Sequence, residues 1–146
     1  MFIEGKELVK KYGKGEATVY ALDHTDFSME KSEIVVILGP SGSGKSTLLN
    51  ILGGLDKATE GSMIVDGKDL EKMSAKELEI YRREKLGFVF QSYNLTPDLT
   101  VRENVEMTAE LVKDPLDVDA LIENLGLTKY EKHFPKELSG GQQQRV

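Results

Sequence analysis

The stretch "EIVVILGPSGSGKSTLLNILGG", residues 33–54, constrains this chain more than any other. Its centre, Gly39 to Thr47, fits the spacing G-x-x-x-x-G-K-[ST]. The run before it, "EIVVIL", is continuous and β-branched, the pattern of a strand buried on both faces of a mostly parallel sheet. The run after it has helical periodicity and ends at Gly53 and Gly54, which suit a C-cap. Gly39, Gly42 and Gly44 open backbone conformations closed to other residues and let the chain approach a phosphate closely. Successive amides then form an anion nest with the positive end of the helix dipole behind it. Lys45 would reach the terminal phosphates of a nucleotide, and the Ser46 hydroxyl would coordinate Mg²⁺, which prefers hard oxygen ligands. Ser41, Ser43 and Thr47 complete the expected nucleotide-binding set. The competing reading is a glycine-rich turn without a ligand. On background residue usage the pattern arises by chance in only about 0.5% of chains this long. The motif alone does not choose among GTPases, kinases and ATPases.

Strand signals dominate the first part of the chain. "FIEGKELVKKY" and "VYALDHTDFSME" alternate apolar and polar residues and flank Gly13 and Gly15, as antiparallel strands joined by a loop do. "GSMIVDGKDL" reads as a strand and turn with Asp66-Gly67 as the turn dipeptide. "LGFVFQ", Leu86 to Gln91, reads as a further short strand. Helical signals follow. Ser74/Glu77, Thr100/Glu103 and Thr128/Glu131 each have capping-box spacing, and Gly126 closes a helix near Asp119 to Leu125. A subdomain boundary is expected near Ser92, giving residues 1–92 with the β subdomain and phosphate loop, and 93–146 with the helices.

The 146 residues suffice for one domain with a core, or a domain and a small subdomain. With 19 basic and 25 acidic residues the net charge is -6, which argues against nucleic-acid binding driven by bulk charge. Without cysteine there is no disulfide framework and no thiolate site, which fits a reducing compartment. "MFIEGKELVKKYGKG" lacks the apolar core of a secretory signal. The longest apolar runs fall far short of the ~20 residues that span a bilayer. Membrane association is therefore expected to go through a partner.

Three further positions are candidates. Gln91 follows "GFVF" and could offer its carbonyl oxygen to Mg²⁺, orient water or sit at a subdomain joint; it could equally be a solvated strand end. Tyr12, in "KKYGKG", could stack on a purine or pack on the sheet. The last segment, "LSGGQQQRV", places a fourth capping box, Ser139/Gln142, around two glycines. Gly140 and Gly141 would cost roughly 2 kcal/mol relative to alanine in a helix interior. A first turn without side chains leaves its amides open to an anion, which would justify that cost.

"GPSGSGKST", then Gln91 after an aromatic strand, then "LSGGQQQRV", in this order, resemble the ATP-binding-cassette (ABC) ATPases. "GFVFQ…NL…LTVRENV" and the signature are most similar to the LolD/MacB/FtsE group, ATPase subunits serving membrane complexes in lipoprotein release, efflux or cell division. The resemblance covers essentially the whole chain. It implies an α/β fold of the phosphate-loop NTPase type, a parallel core sheet with an N-terminal antiparallel β subdomain, and a helical subdomain that looks short here. It also implies ATP and Mg²⁺ as cofactors, with Tyr12 stacking on adenine and Gln91 touching Mg²⁺ and relaying nucleotide state to a transmembrane permease. Ser139, Gly140, Gly141 and Gln142 would contact ATP held on another subunit, because ABC proteins close as head-to-tail dimers around two nucleotides. No nucleic-acid partner is expected. The expected location is cytoplasmic, peripheral on the inner face of the cell membrane.

The departures from the family pattern matter as much. After the signature the family continues into a second buried strand ending in an Mg²⁺-binding Asp, then a catalytic Glu, a dimer-contact loop and a switch His. None of these lies within the 146 residues. His24 and His133 precede the signature and do not match the switch position. With the C-terminal core strands and general base missing, this chain alone is expected to bind nucleotide weakly and not to hydrolyse it at the family's rate. Two other readings stay open: a soluble ABC ATPase of the repair or translation type, and a non-catalytic ATP-binding fragment.

Overall fold

The computed structural model describes all 146 residues, which divide into two units, Met1–Leu86 and Gly87–Val146. In the first unit the two alternating segments form β1 (Ile3–Tyr12) and β2 (Val19–Met29), paired antiparallel. A 3-10 turn at Gly15–Ala17 joins them, as the Gly13/Gly15 pair suggested. The register shifts beyond Gly5, where Glu7 takes a left-handed φ of 49° and its N–H donates to Asp26 Oδ1 at 2.9 Å instead of a ladder partner. β3 (Glu60–Val65) pairs with the other edge of β1, and β4 (Lys68–Asp69) closes the sheet in the order β2-β1-β3-β4. The β3–β4 connection has positive φ at both Asp66 and Gly67, the twist that two-residue hairpins require.

Two helices cover this sheet. α1 (Lys45–Leu52) inserts Leu48 and Ile51, and α2 (Ala75–Lys85) inserts Leu78 and Tyr81, into a core with Leu8, Leu22, Met63 and Leu70. The Tyr81 hydroxyl donates to the Leu52 carbonyl at 2.9 Å, and burial pushes its pKa up. α2 starts on the expected box: Ser74 Oγ accepts from the Glu77 N–H, and Glu77 accepts from the Ser74 N–H at 2.8 Å.

The run at 33–38 is not a strand. It is unpaired, with Ile34, Val36 and Leu38 exposed by 92%, 73% and 85%, while Ile37 packs on the core. The same correction applies to 86–91: Val89 is 99% exposed, and Phe88 stacks on Phe90 with centroids 5.2 Å apart. The reason is common to both. A β conformation is held by ladder hydrogen bonds to a neighbour, and neither run belongs to the sheet. Every pairing observed is antiparallel, so the expected parallel core sheet is not formed.

The second unit is helical. α3 (Val101–Ala109), α4 (Val118–Asn124) and the single turn α5 (Gly140–Gln143) gather around Val101, Ile122, Leu127 and Leu138. α3 has its predicted box on Thr100 and Glu103, and α4 is capped by Asp117, which accepts from the Asp119 and Ala120 N–H groups. The Thr128/Glu131 box does not form; Thr128–Tyr130 is a 3-10 turn with no side-chain cap. Glu131 is committed elsewhere, accepting from Arg102 Nη2 at 2.8 Å. Arg102 also holds Asp119 at 2.6 Å and Glu106 at 3.3 Å, and these carboxylates, Glu131 foremost, push its pKa further up. Asn104 is the buried polar side chain of this unit. Its Oδ1 accepts from the Thr96 N–H, and its Nδ2 donates to the Thr96, Leu99 and Thr100 carbonyls.

Candidate nucleotide-binding site

The phosphate loop ends on Gly44, the N-cap of α1, in a left-handed conformation (φ 85°, ψ 0°). A side chain there would run into the Ala21 carbonyl of β2 and come within 3.0 Å of Leu22 Cδ2. Glycine is thus required both by the dihedral and by the wall behind it. Gly42 has a similar φ of 82° but open space around it, and a side chain at Gly39 would crowd Ser43 Oγ. The helix that follows differs from α2, α3, α4 and α5, each capped by a Ser, Thr or Asp side chain; α1 has no side-chain cap. Its first bond into the cap runs from the Leu48 N–H to the Gly44 carbonyl at 2.9 Å, so the amides of Lys45, Ser46 and Thr47 have no intrahelical partner. Three unbonded N–H groups at the positive end of a helix dipole suit a polyanion.

Lys45 curls back over this turn. Its ammonium donates to the Gly39 carbonyl at 2.9 Å, the Pro40 carbonyl at 2.7 Å and Ser43 Oγ at 3.4 Å. The charge is held over the loop by weak neutral acceptors that a phosphate oxygen would outcompete. Ser41 and Ser46 are exposed and Thr47 is half-buried in the first turn of α1. The donor set therefore fits a nucleotide triphosphate: backbone amides and one ammonium for its charge, and the Ser46 hydroxyl as a hard ligand for an accompanying Mg²⁺.

Tyr12 closes β1 and is 44% exposed. Its hydroxyl donates to Asp56 Oδ2 at 2.9 Å, and Lys10 Nζ lies over the ring, 5.1 Å from the centroid. Asp56 lies between α1 and β3 and carries no motif of its own; only the long-range fold brings it to Tyr12.

In the second unit Gln91 is exposed in a bend. The signature forms as spaced: Ser139 Oγ accepts from the Gln142 N–H at 3.4 Å, and Gln142 Oε1 accepts from the Ser139 N–H at 2.7 Å. The Ser139 hydroxyl proton remains available to a ligand. Gly140 and Gly141 are both exposed; a side chain at Gly141 would meet nothing, and one at Gly140 would sit 3.0 Å from the Tyr93 hydroxyl. Tyr93 is thus a neighbour of the signature that no motif marks. His24 is exposed on β2 with Nδ1 2.9 Å from Glu7, and His133 follows the 128–130 turn with its ring edge-on to Tyr130.

A family model described as ABC transporter matches residues 22–146, from within β2 through the signature. The chain belongs to the ABC transporter family. This ABC transporter chain is 46% identical over 147 residues to the putative ABC transporter ATP-binding protein MG065 of Mycoplasma genitalium, covering 99% of itself and 32% of that protein. It is 47% identical over 149 residues to the macrolide export ATP-binding/permease protein MacB of Neisseria meningitidis serogroup A, covering 23% of it. Among solved structures it is similar to the ATP-binding cassette MJ0796, described as a dimer in a post-hydrolysis state bound to ADP and Pi, with a TM-score of 0.87 and 40% identity over 98% of this chain. The chain spans about a third or less of these curated relatives and 66% of that cassette.

Proposed function

We propose that this chain carries the ATP-binding part of a membrane-transport motor. The observation that carries the reading is α1: a helix begun on a left-handed glycine, without a side-chain cap, whose first-turn amides have no intrahelical partner and whose Lys45 ammonium folds back onto the Gly39 and Pro40 carbonyls of the loop. ATP is bound with its phosphates on Gly39, Ser41, Gly42, Ser43, Gly44, Lys45, Ser46 and Thr47, and its base on Tyr12. Mg²⁺ is held by Ser46 and, in the closed assembly, by Gln91. Bound Mg²⁺ neutralises phosphate charge; the chain's own residues orient the triphosphate. Ser139, Gly140, Gly141 and Gln142 contact the nucleotide of a second copy in a head-to-tail dimer, a reading supported by the exposure of the two glycines and by the dimeric cassette it resembles. The functional boundary lies near Ser92, with 93–146 docking a permease subunit, in keeping with the ATP-binding/permease description of MacB.

The location we propose is peripheral, on the cytoplasmic face of the membrane; no helix is long and apolar enough to cross a bilayer. We further propose that these 146 residues alone turn ATP over slowly or not at all. Titration calorimetry with Mg²⁺ and ATP tests the core of this reading. Binding that disappears in Lys45→Ala supports it; equal binding by both proteins defeats it. Phosphate release at the rate of a complete ATPase would refute the slow-turnover statement while leaving the binding site intact.

A further inference from the structure

We propose that Asp56 is a positioning residue for base recognition: it fixes the Tyr12 ring at a set place relative to the helix that carries the phosphate cradle. This rests on the reading of Tyr12 as the stacking surface.

Tyr12 stands at the end of an edge-exposed strand segment, where an aromatic ring on a two-torsion side chain would ordinarily sample several rotamers. Here it is held from two sides. Its hydroxyl donates to Asp56 Oδ2 at 2.9 Å, and Lys10, two residues back on the same strand face, places Nζ over the ring. Lys10 is itself tied to Asp56 Oδ1 and to the Lys57 carbonyl at 2.7 Å, with only 12% of its side chain exposed. The Lys57 N–H donates to the same Oδ1 at 2.8 Å. Asp56 thus accepts from a phenol, an ammonium and an amide at once, and holds the tyrosine and lysine of β1 together.

Asp56 is in turn fixed to α1. Its N–H and that of Leu55 both donate to the Asn50 carbonyl, at 3.2 and 2.9 Å, in the last turn of the helix. A rigid helix of eight residues, about 12 Å long, therefore has the phosphate loop at its N-terminus and the tyrosine's anchor at its C-terminus. The two ends of a nucleotide would be gauged against one element. Because Lys10 covers one face of the ring, a base would stack on the other face. Neutralising or removing the Asp56 carboxylate frees the ring to rotate and weakens base binding, while the phosphate cradle keeps its own supports.

The test compares Tyr12→Ala, Tyr12→Phe, Asp56→Ala and the Tyr12→Phe/Asp56→Ala pair, with ATP and with inorganic tripolyphosphate, both with Mg²⁺, by calorimetry. Removing the ring should weaken ATP binding about 5- to 150-fold, as loss of one stacking contact does. Tyr12→Phe keeps the ring and loses only the tie, and should weaken ATP binding roughly 3- to 10-fold. Asp56→Ala should do the same, and the pair no worse than either single change, since both break the same Tyr12–Asp56 tie. Tripolyphosphate affinity should stay unchanged throughout. If Tyr12→Ala leaves ATP affinity untouched, the stacking reading itself fails. If Tyr12→Ala weakens ATP binding but Tyr12→Phe does not, stacking stands and the role of Asp56 is overturned. Loss of ATP and tripolyphosphate alike in Asp56→Ala likewise overturns it. Should Asp56→Ala fail to fold, the Tyr12→Phe comparison still decides.

Discussion

Gly42 and Gly44 offer a controlled experiment inside one loop. Both have positive φ, 82° and 85°, so alanine at either position carries the left-handed penalty of about 1–2 kcal/mol. Only Gly44 has a wall behind it, the Ala21 carbonyl and Leu22 Cδ2 at 3.0 Å. The Leu22 methyl could shift by a few tenths of an ångström, but the Ala21 carbonyl belongs to a strand and cannot. Gly44→Ala must therefore push the start of α1 off β2, adding about 1–3 kcal/mol of overpacking, for about 2–5 kcal/mol in total. With a urea slope of roughly 1–3 kcal/mol per molar, the two variants should be separated by about 1 M in unfolding midpoint, Gly44→Ala being the less stable. Urea titration followed by far-UV circular dichroism reads this directly. Equal midpoints, or a lower one for Gly42→Ala, would refute the argument that close backbone packing adds to the dihedral demand at Gly44.

Other outcomes follow from the same structure. Asn104→Ala should cost about 1–3 kcal/mol in urea titration, because the half-buried Thr96 N–H and the carbonyls that buried Asn104 joins lose their partner. Stability should fall in acid: the Ser74 hydroxyl and N–H hold the Glu77 carboxyl below its ordinary value, and the Thr100 N–H and hydroxyl do the same for Glu103. A lowered folded pKa gives stability present above the ordinary 4.5 and lost as pH falls through the folded value. Glu71, raised by burial, acts in the opposite sense, its contribution being lost as pH rises. The pair Ser74→Ala/Thr100→Ala should flatten the decline in urea midpoint between about pH 5 and pH 3, and an unchanged slope would rule the boxes out as its source. The exposed Ile34, Val36 and Leu38 should drive concentration-dependent association in sedimentation velocity, reduced by Val36→Lys; identical profiles would exclude this run as the contact.

What could be foreseen from the residues follows the range of the interaction that decides each feature. The β1–β2 and β3–β4 hairpins, three of the four proposed boxes and the glycine conformations at 42 and 44 are decided within a few residues, and they form as expected. The Thr128/Glu131 box has equally good spacing and fails because Arg102, distant in the chain, claims Glu131. The run at 33–38 has the strongest strand composition in the chain, yet composition cannot supply a neighbour to pair with. Asp56 lies in a loop without any local pattern, 44 residues from the tyrosine it holds. Nothing within one window of sequence could have revealed it.

The cradle's geometry survives without a strand leading into it, and this identifies its supports. On its N-terminal side the chain from Glu33 to Leu38 is unpaired and mostly exposed, so it fixes the loop through little more than Ile37. On its C-terminal side α1 is seated by Leu48 and Ile51 in the core, and Gly44 rests against β2. The amides that would meet a phosphate are thus positioned by a helix and by the antiparallel sheet. A ladder formed along residues 33–38 would restrain the loop's entry without moving its wall. Affinity for triphosphate should therefore respond more to Leu48 and Ile51, which seat the helix dipole, than to any of the exposed residues at 34, 36 and 38, whose side chains lie outside the core.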